Sequence, residues 1–419
     1  VGFGQALSGL NAASQNLDVI GNNIANASTV GYKSGSINFA DIYASSRIGL
    51  GVQVSSIQQR FTTGNLEITG NQYDMAIDGN NGFFRLINTN GEIVYSRNGQ
   101  FTKDKDNYIV NAQGMRLTGY PADVLNEDGT LISGVGQDPV QLIVPAGNIA
   151  PQATTAMNFE RNLDSREPAI DGAVYPFDAN DPSTFTNSVP MTVYDSLGNR
   201  HTLTQYYIKR GADNGESIWE VRYMLDDDAM TVGDGNADFA ELRFTSSGTL
   251  VPGSQTAYTV NFAQPGTADA PADPLAIQIA YAGSSQFGSA FTQNFTQNGY
   301  ASGEFASIAV GAGGEVIASY TNGQTQNIGT LVLANFNNVT GLKAVGGNAW
   351  SESPESGQAI LGQPGTNGLA TIKGQAVEAS NVDMSQELVN MIIAQRTYQA
   401  NAQTIKTQDQ IMQTLMAMR

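Results

Sequence analysis

The chain has 419 residues, no cysteine, a single histidine and a net charge of −18, with hydrophobic residues at 41% and charged residues at only 14%. Its length calls for several domains rather than one core. The missing cysteines exclude disulfides, thiol nucleophiles and cysteine-ligated metals, and the acidity excludes nucleic acid as a partner, because phosphate binding needs clustered Lys and Arg.

The acidity also gives little attraction for an anionic membrane face, and it keeps an abundant protein soluble before assembly. No apolar run approaches the roughly 20 residues of a membrane helix, so no membrane insertion is expected. The first residues carry neither a basic n-region nor a continuous apolar h-region, so they are not a conventional secretory signal, and if the protein leaves the cell it does so without a cleaved Sec signal.

At the start of the chain, Ala6, Leu10, Ala13, Leu17, Ile20 and Ile24 step by threes and fours, close to the spacing of a coiled-coil seam. Asn22, Asn23 and Asn26 mark where that helix frays into a loop. The stretch from residue 27 to 71 is long, polar and rich in turn residues, and it is expected to order only against neighbouring subunits.

From Tyr73 to Tyr120, short alternating runs are broken by Asn80-Asn81-Gly82, Asn90-Gly91, Asn98-Gly99 and Asp106-Asn107, the grammar of β-hairpins. A second block, from about Gly303 to Trp350, has similar grammar. Between them, residues 146–302 open and close with Pro-, Gly-, Thr- and Asn-rich stretches and contain good strands of their own. They read as a domain inserted into a loop of its parent.

The chain ends as it began. Asn381 or Asp383 is the expected N-cap, with Gln386 in capping-box position after Asp383. Leu388, Met391, Gln395, Tyr398, Ala402, Ile405, Asp409, Met412 and Met416 then alternate by three and four, with no Gly or Pro after Met384. This predicts a helix about 50 Å long.

Neither terminal helix is built to stand alone, because each has one apolar stripe and the first is short. The simplest cover is the other helix, followed by copies of the pair from other subunits. Leu10, Leu17, Ile20, Ile24, Leu388, Met391, Tyr398, Ile405 and Met412 are therefore the expected assembly residues. Gln395 and Asp409 at seam positions suit a place where several helices and trapped water meet better than a closed core.

The predicted fold is mainly β with terminal α-helices, a nested multidomain plan. A helical coiled-coil domain takes 1–26 and 378–419, and a linker takes 27–71 and 358–377. The β-rich middle domain is 72–145 and 303–357, and the inserted β-rich domain is 146–302.

Two signatures at opposite ends carry a family resemblance. Ser8-Gly9-Leu10-Asn11-Ala12-Ala13, then Asn22-Asn23-Ile24-Ala25-Asn26 and Gly31-Tyr32-Lys33, resemble the N-terminal signature of flagellar rod and hook axial proteins. Glu378-Ala379-Ser380-Asn381-Val382-Asp383 and Gln395-Arg396 through Ala402 resemble their C-terminal one. The central stretches Gly79 to Phe84, Tyr95 to Phe101, Leu117 to Pro121 and Leu331 to Phe336 are similar to the hook members, and distal rod members lack a large insertion.

The resemblance implies a structural subunit of the flagellar hook, a curved flexible tube that transmits torque from motor to filament as a universal joint. It implies self-polymerisation into a helical homopolymer, located in the hook and basal body outside the cell. The implied partners are the distal rod protein, the hook cap protein, the hook–filament junction protein and the flagellar type III export apparatus. A distal rod or junction protein is the alternative within the family.

The residues offer little for catalysis. His201 is alone, too few for a multi-histidine zinc site, and a Ser-His-Asp triad would need its strand pair to present it in a pocket. Asp234, Asn236 and Asp238 sit at calcium-loop spacing, but Phe239 and Thr245 stand where that loop needs Gly and Glu, so a solvated acidic turn is the simpler reading. No cofactor, metal or enzymatic activity is expected. A reading from another class, a surface adhesin with a glycan-binding insertion, would need Trp219, Tyr206, Tyr207 and Tyr223 in an open groove.

Overall fold

The computed structural model describes residues 2–42, 49–126, 130–233 and 237–417. The chain is mostly strand with one helix near each end, and it divides into two compact units. The first comprises residues 1–146, 306–319 and 325–419, and the second residues 147–305 and 320–324.

Helix α1 spans Gly2–Ala25 and helix α2 spans Met384–Ala417. Helix α2 is capped by Asp383, whose carboxylate accepts from Ser385 N at 2.9 Å and Gln386 N at 3.1 Å. The reciprocal half of the capping box is not made, because Gln386 Nε2 turns along the helix to Asn390 Oδ1 at 3.1 Å. Thr397, Thr404, Thr407 and Thr414 each donate to the carbonyl four residues back. That local bonding gives α2 a polar face carrying few charges.

The segment expected to lack structure of its own forms a hairpin. Strand β1, Gly35–Asp41, pairs antiparallel with strand β2, Val52–Gln59, from Gly35↔Gln59 to Asp41↔Val52, with a bulge between Asn38 and Phe39. The two strands pair with each other within the chain, and the hairpin is anchored on α1. Buried Asn23 donates to Gly35 O at 2.9 Å and accepts from Gly35 N at 2.8 Å, and Ser8 Oγ accepts from Val52 N at 3.3 Å. Asn23 therefore lies within α1 and bonds the hairpin, and the helix continues to Ala25.

Most remaining strands of the first unit join one large antiparallel sheet that the chain leaves and re-enters, beside three small two-stranded sheets. Thr330↔Tyr120 and Leu331↔Gly119 join a returning strand to the one before the insertion, and Leu333↔Phe84 and Ala334↔Phe83 extend the same pairing. Phe83, Tyr95, Phe336 and Trp350 pack edge-to-face beneath it with half-buried Phe61, at ring separations of 4.8–5.9 Å. Such geometry places ring edges against ring faces, as the aromatic quadrupole prefers.

The second unit holds two five-stranded sheets. One contains Ala156–Asn162, Ala257–Phe262, Leu275–Ala280 and Thr292–Gln297, and the other Asn187–Tyr194, Arg200–Asp213, Glu216–Leu225 and Ala240–Phe244. Alternate residues of both, from Met157 and Phe159 to Leu203, Tyr207, Trp219 and Val221, share one core. Period-two burial across facing sheets is the signature of a β-sandwich.

Candidate assembly site

The terminal helices pair antiparallel, with Gly9 of α1 against Asn401 of α2 and Ile20 near Glu387 and Asn390. A Cβ on Gly9 would lie 2.9 Å from Asn401 Nδ2, so the absent side chain lets the helices approach. Ala6, Ala12, Ala13 and Ile20 of α1 and Ala394 of α2 are buried, whereas Leu10, Leu17 and Ile24 are half-buried. Small residues form the closest contact, and the larger ones flank it.

On α2 the side facing α1 is turned slightly from the apolar stripe of the sequence. Glu387 and Ala394 are buried, and Met391, Ala402 and Ile405 are half-buried. Leu388, Gln395, Tyr398, Asp409 and Met412 are exposed. Two patches of α2 lack cover. Leu388, Val389, Ile392 and Ile393 form one, and Ile411, Met412, Leu415 and Met416 form the other, with Met416 69% exposed. Within each patch the residues pair at i, i+4 and so share a face. A groove of about 460 Å³ lies between α1, the β1–β2 hairpin and α2, lined by Ala12, Ala13, Phe39, Val52, Ile393 and Ala394.

Below the helices, residues from the two signatures meet in a buried lock. Glu378 is wholly buried between Lys33, at 2.5 Å, and Arg97, at 3.1 Å, both also without exposure. Glu378 Oε1 further accepts from Gly64 N at 2.9 Å, and its backbone carbonyl accepts from Gly31 N at 2.7 Å. Lys33 Nζ donates to Thr62 O, and Arg97 donates to Gly79 O and Asn80 O. Burial draws the Lys33 ammonium and the Arg97 guanidinium below their ordinary pKa values, and Glu378 opposes that shift in both.

Asn381, a candidate cap, belongs to this lock instead. Its Oδ1 accepts from Ser34 N at 2.8 Å, and its Nδ2 donates to Arg60 O at 2.7 Å and Thr62 Oγ1 at 3.0 Å. Gly31 has φ +70°, and a Cβ there would meet Asn98 N at 2.6 Å, so both conformation and space require glycine. Tyr32 is buried with its hydroxyl 3.3 Å from Asn23 Oδ1, and burial, then the Glu387 carboxylate, raise its pKa. Asn26 donates to Asn22 O at 3.0 Å and closes the end of α1. Asn22, Gln395 and Arg396 lie exposed on the helices. Neither Arg97 nor Glu378 was a candidate site residue, although both stand inside the motifs that carried the resemblance.

The other candidates fall in the second unit. His201 Nδ1 lies 2.5 Å from Asp226 Oδ2, and its Nε2 lies 3.1 Å from Asp195 Oδ2. Both ring nitrogens thus face carboxylates, leaving no nitrogen free to act as a base. Trp219, Tyr207 and Tyr223 are core residues and Tyr206 is 8% exposed, so the open aromatic groove of a glycan-binding reading does not form. Asp234 and Asn236 lie outside the described residues. Among the described residues no cluster of His, Asp or Glu could hold a metal, and no helix is long and apolar enough to cross a membrane.

Four family models match the chain. They are a flagella basal body rod protein model at 5–33, the flagellar hook protein FlgE/F/G D1 domain at 76–160, the flagellar basal body protein FlaE D2 domain at 162–300 and the flagellar basal body rod FlgEFG protein C-terminal model at 373–418. The flagellar hook protein FlgE of Escherichia coli is 43% identical over 419 residues, covering 100% of both chains. That of Salmonella typhimurium is 42% identical over 417 residues with the same coverage, and that of Borreliella burgdorferi is 30% identical over 99% of this chain and 98% of its own. The crystal structure of Helicobacter pylori flagellar hook protein FlgE2 matches in fold, with TM-score 0.53 and 14% identity over 74% of this chain and 100% of that one. With both ends, the sheet they enclose and the insertion all matched in order, the chain belongs to the flagellar hook protein family and is a structural subunit of the bacterial flagellar hook.

Proposed function

We propose that this hook subunit polymerises through α1 and α2 into the inner wall of a curved, flexible tube, which carries torque from motor to filament as a universal joint and performs no catalysis. The terminal segments 1–26 and 378–419 hold the tube together. The linker (27–71 and 358–377), the middle domain (72–145 and 303–357) and the insertion (146–302) supply weaker contacts that exchange as the tube bends. Export through the flagellar type III apparatus, and junctions with distal rod, hook cap and hook–filament junction proteins, complete the reading.

The observation that carries it is the uncovered apolar surface of α2. Leu388, Val389, Ile392, Ile393, Ile411, Met412, Leu415 and Met416 remain exposed after α1 has packed. Burying one such side chain contributes roughly 1.5–3 kcal/mol. The second patch is the more exposed of the two, and a neighbouring copy is its natural cover. A head-to-tail contact between unlike faces does not close and builds an open helix.

Seeded polymerisation watched by electron microscopy tests this with the full chain, a chain lacking 384–419 and Leu415→Glu. The full chain should form tubes and the other two should not, while Leu415→Glu keeps the thermal unfolding of the parent. Tubes from all three would mean that the β-rich units carry assembly.

A further inference from the structure

In the second unit, the strand Ala156–Asn162 carries an arginine where its register calls for an apolar side chain. Met157, Phe159 and Arg161 alternate on the inward face, and Arg161 is 2% exposed. Its Nε, Nη1 and Nη2 all lack a hydrogen-bond partner, and no carboxylate among the described residues pairs with it. The guanidinium sits among rings instead, 4.3 Å from the centroid of Phe159, 5.1 Å from Tyr207 and 5.7 Å from Phe291.

Ring faces attract a cation, but they do not replace hydrogen-bond acceptors or a counter-charge, and an isolated buried charge is among the costliest groups to place in a core. A lysine could shed its proton there; an arginine does not. No phenolate balances the charge, since burial holds Tyr207 up at about 12 and Tyr223 and Tyr281 well above 10.

The surroundings are short of acceptors as well. Gln205 Nε2 and Trp219 Nε1, on buried residues of the other sheet, are unpartnered donors too. Gln205 Oε1 is taken by the Tyr207 hydroxyl at 2.5 Å, and the Tyr223 and Tyr281 hydroxyls bond each other at 2.7 Å. The one unpartnered buried side-chain acceptor of this unit among the described residues, Gln286 Oε1, belongs to a half-buried loop residue outside the core cluster. Water would add donors as well as an acceptor and would bring no charge. A halide only accepts and is negative.

We propose that the core of the inserted β-sandwich binds a small inorganic anion, of the size and charge of chloride, at the Arg161 guanidinium. The anion would make the stability of this unit depend on the halide content of the medium.

The test uses the full chain. Thermal unfolding is compared in sodium chloride, sodium bromide and sodium gluconate at equal ionic strength, for the parent and Arg161→Met. Crystals of the parent soaked in bromide are then measured for anomalous scattering. The expected result is a Tm higher by several degrees in the halides, no such difference in Arg161→Met, and a bromide peak at hydrogen-bond distance from Arg161. Equal Tm values for the parent in all three salts, or bromide-soaked crystals with only water beside the guanidinium, would overturn the proposal. Should Arg161→Met not fold, the bromide position in the parent decides alone.

Discussion

Glu378 is one carboxylate shared by two buried cations, so its charge matters more than that of either partner. Glu378→Gln would leave Lys33 and Arg97 uncompensated where neither touches water, and breaking a buried pair in this way costs about 3–5 kcal/mol. The urea midpoint of the full chain should fall accordingly; a shift within error would show that Thr62, Gly79 and Asn80 carbonyls suffice. His201 gives a second prediction, one that depends on pH. Burial pulls its pKa down, but the hydrogen bonds to Asp226 and Asp195 outweigh this and the net displacement from 6.5 is upward. The stabilisation is full below pH 6.5 and is lost as pH rises through the raised folded value. Burial raises and hydrogen bonds from Asn199 and His201 lower the pKa of the facing Asp195, for a net fall below 3.8, so its contribution is lost only in acid. Tm of the full chain should therefore decline on the alkaline side of pH 6.5, and His201→Gln should flatten that decline. An unchanged pH profile in the variant would remove the imidazolium from the account. At this scale the sequence marked Lys33 and Asn381 as signature residues, but not what they do. The partners of the lock lie up to 347 positions apart, and no local pattern announces such a pairing.

Elements with a clear period or a turn signal were legible, from the two helices to the short hairpins around Asn90-Gly91 and Asp106-Asn107, and the polar hairpin after α1 was not. Both helices appear where their threes and fours place them. On α2, however, the face that meets α1 turns toward Glu387 and Ala394, because helix axes approach at the smallest side chains rather than at the centre of the apolar stripe. The β1–β2 hairpin was missed because Ser, Asn and Gln fill its strands, so Ile37, Phe39, Val52, Val54 and Ile57 show no sustained alternation. Its order comes from a side chain outside it. Asn23 occupies both the N–H and the C=O of Gly35 and is 1% exposed. Asn23→Ala leaves two backbone groups to find other partners, at about 1–3 kcal/mol for each that stays unsatisfied. Hydrogen exchange should accelerate over 35–41 and 52–59 and stay unchanged in the strands around Phe83 and Leu333. Uniform acceleration would mean that Asn23 supports the whole first unit.

The nesting of the whole molecule was readable because Pro- and Gly-rich stretches bracket residues 146–302, while the motifs on either side resume one another. The pairings Gly119↔Leu331 and Phe84↔Leu333 supply the physical basis, since the sheet is completed by strands from both sides of the insertion. Entry and exit strands of the insertion also touch, with Ile149 N bonded to Gly303 O at 2.8 Å and Gln152 bridged to Tyr300. A segment whose ends meet can be removed without stretching its parent, because the loop that replaces it closes at little entropic cost. Joining Ala146 to Gly303 through a short Gly-Ser linker should therefore give a subunit that retains the aromatic cluster of Phe83, Tyr95, Phe336 and Trp350 and the uncovered face of α2. If α2 holds the tube together while the insertion tunes its bending, cells carrying this shortened subunit should export it and build tubes. Electron micrographs of those tubes should show altered curvature or rigidity. Hooks of normal shape would assign bending to the remaining units, and the absence of any tube would assign assembly to the insertion itself.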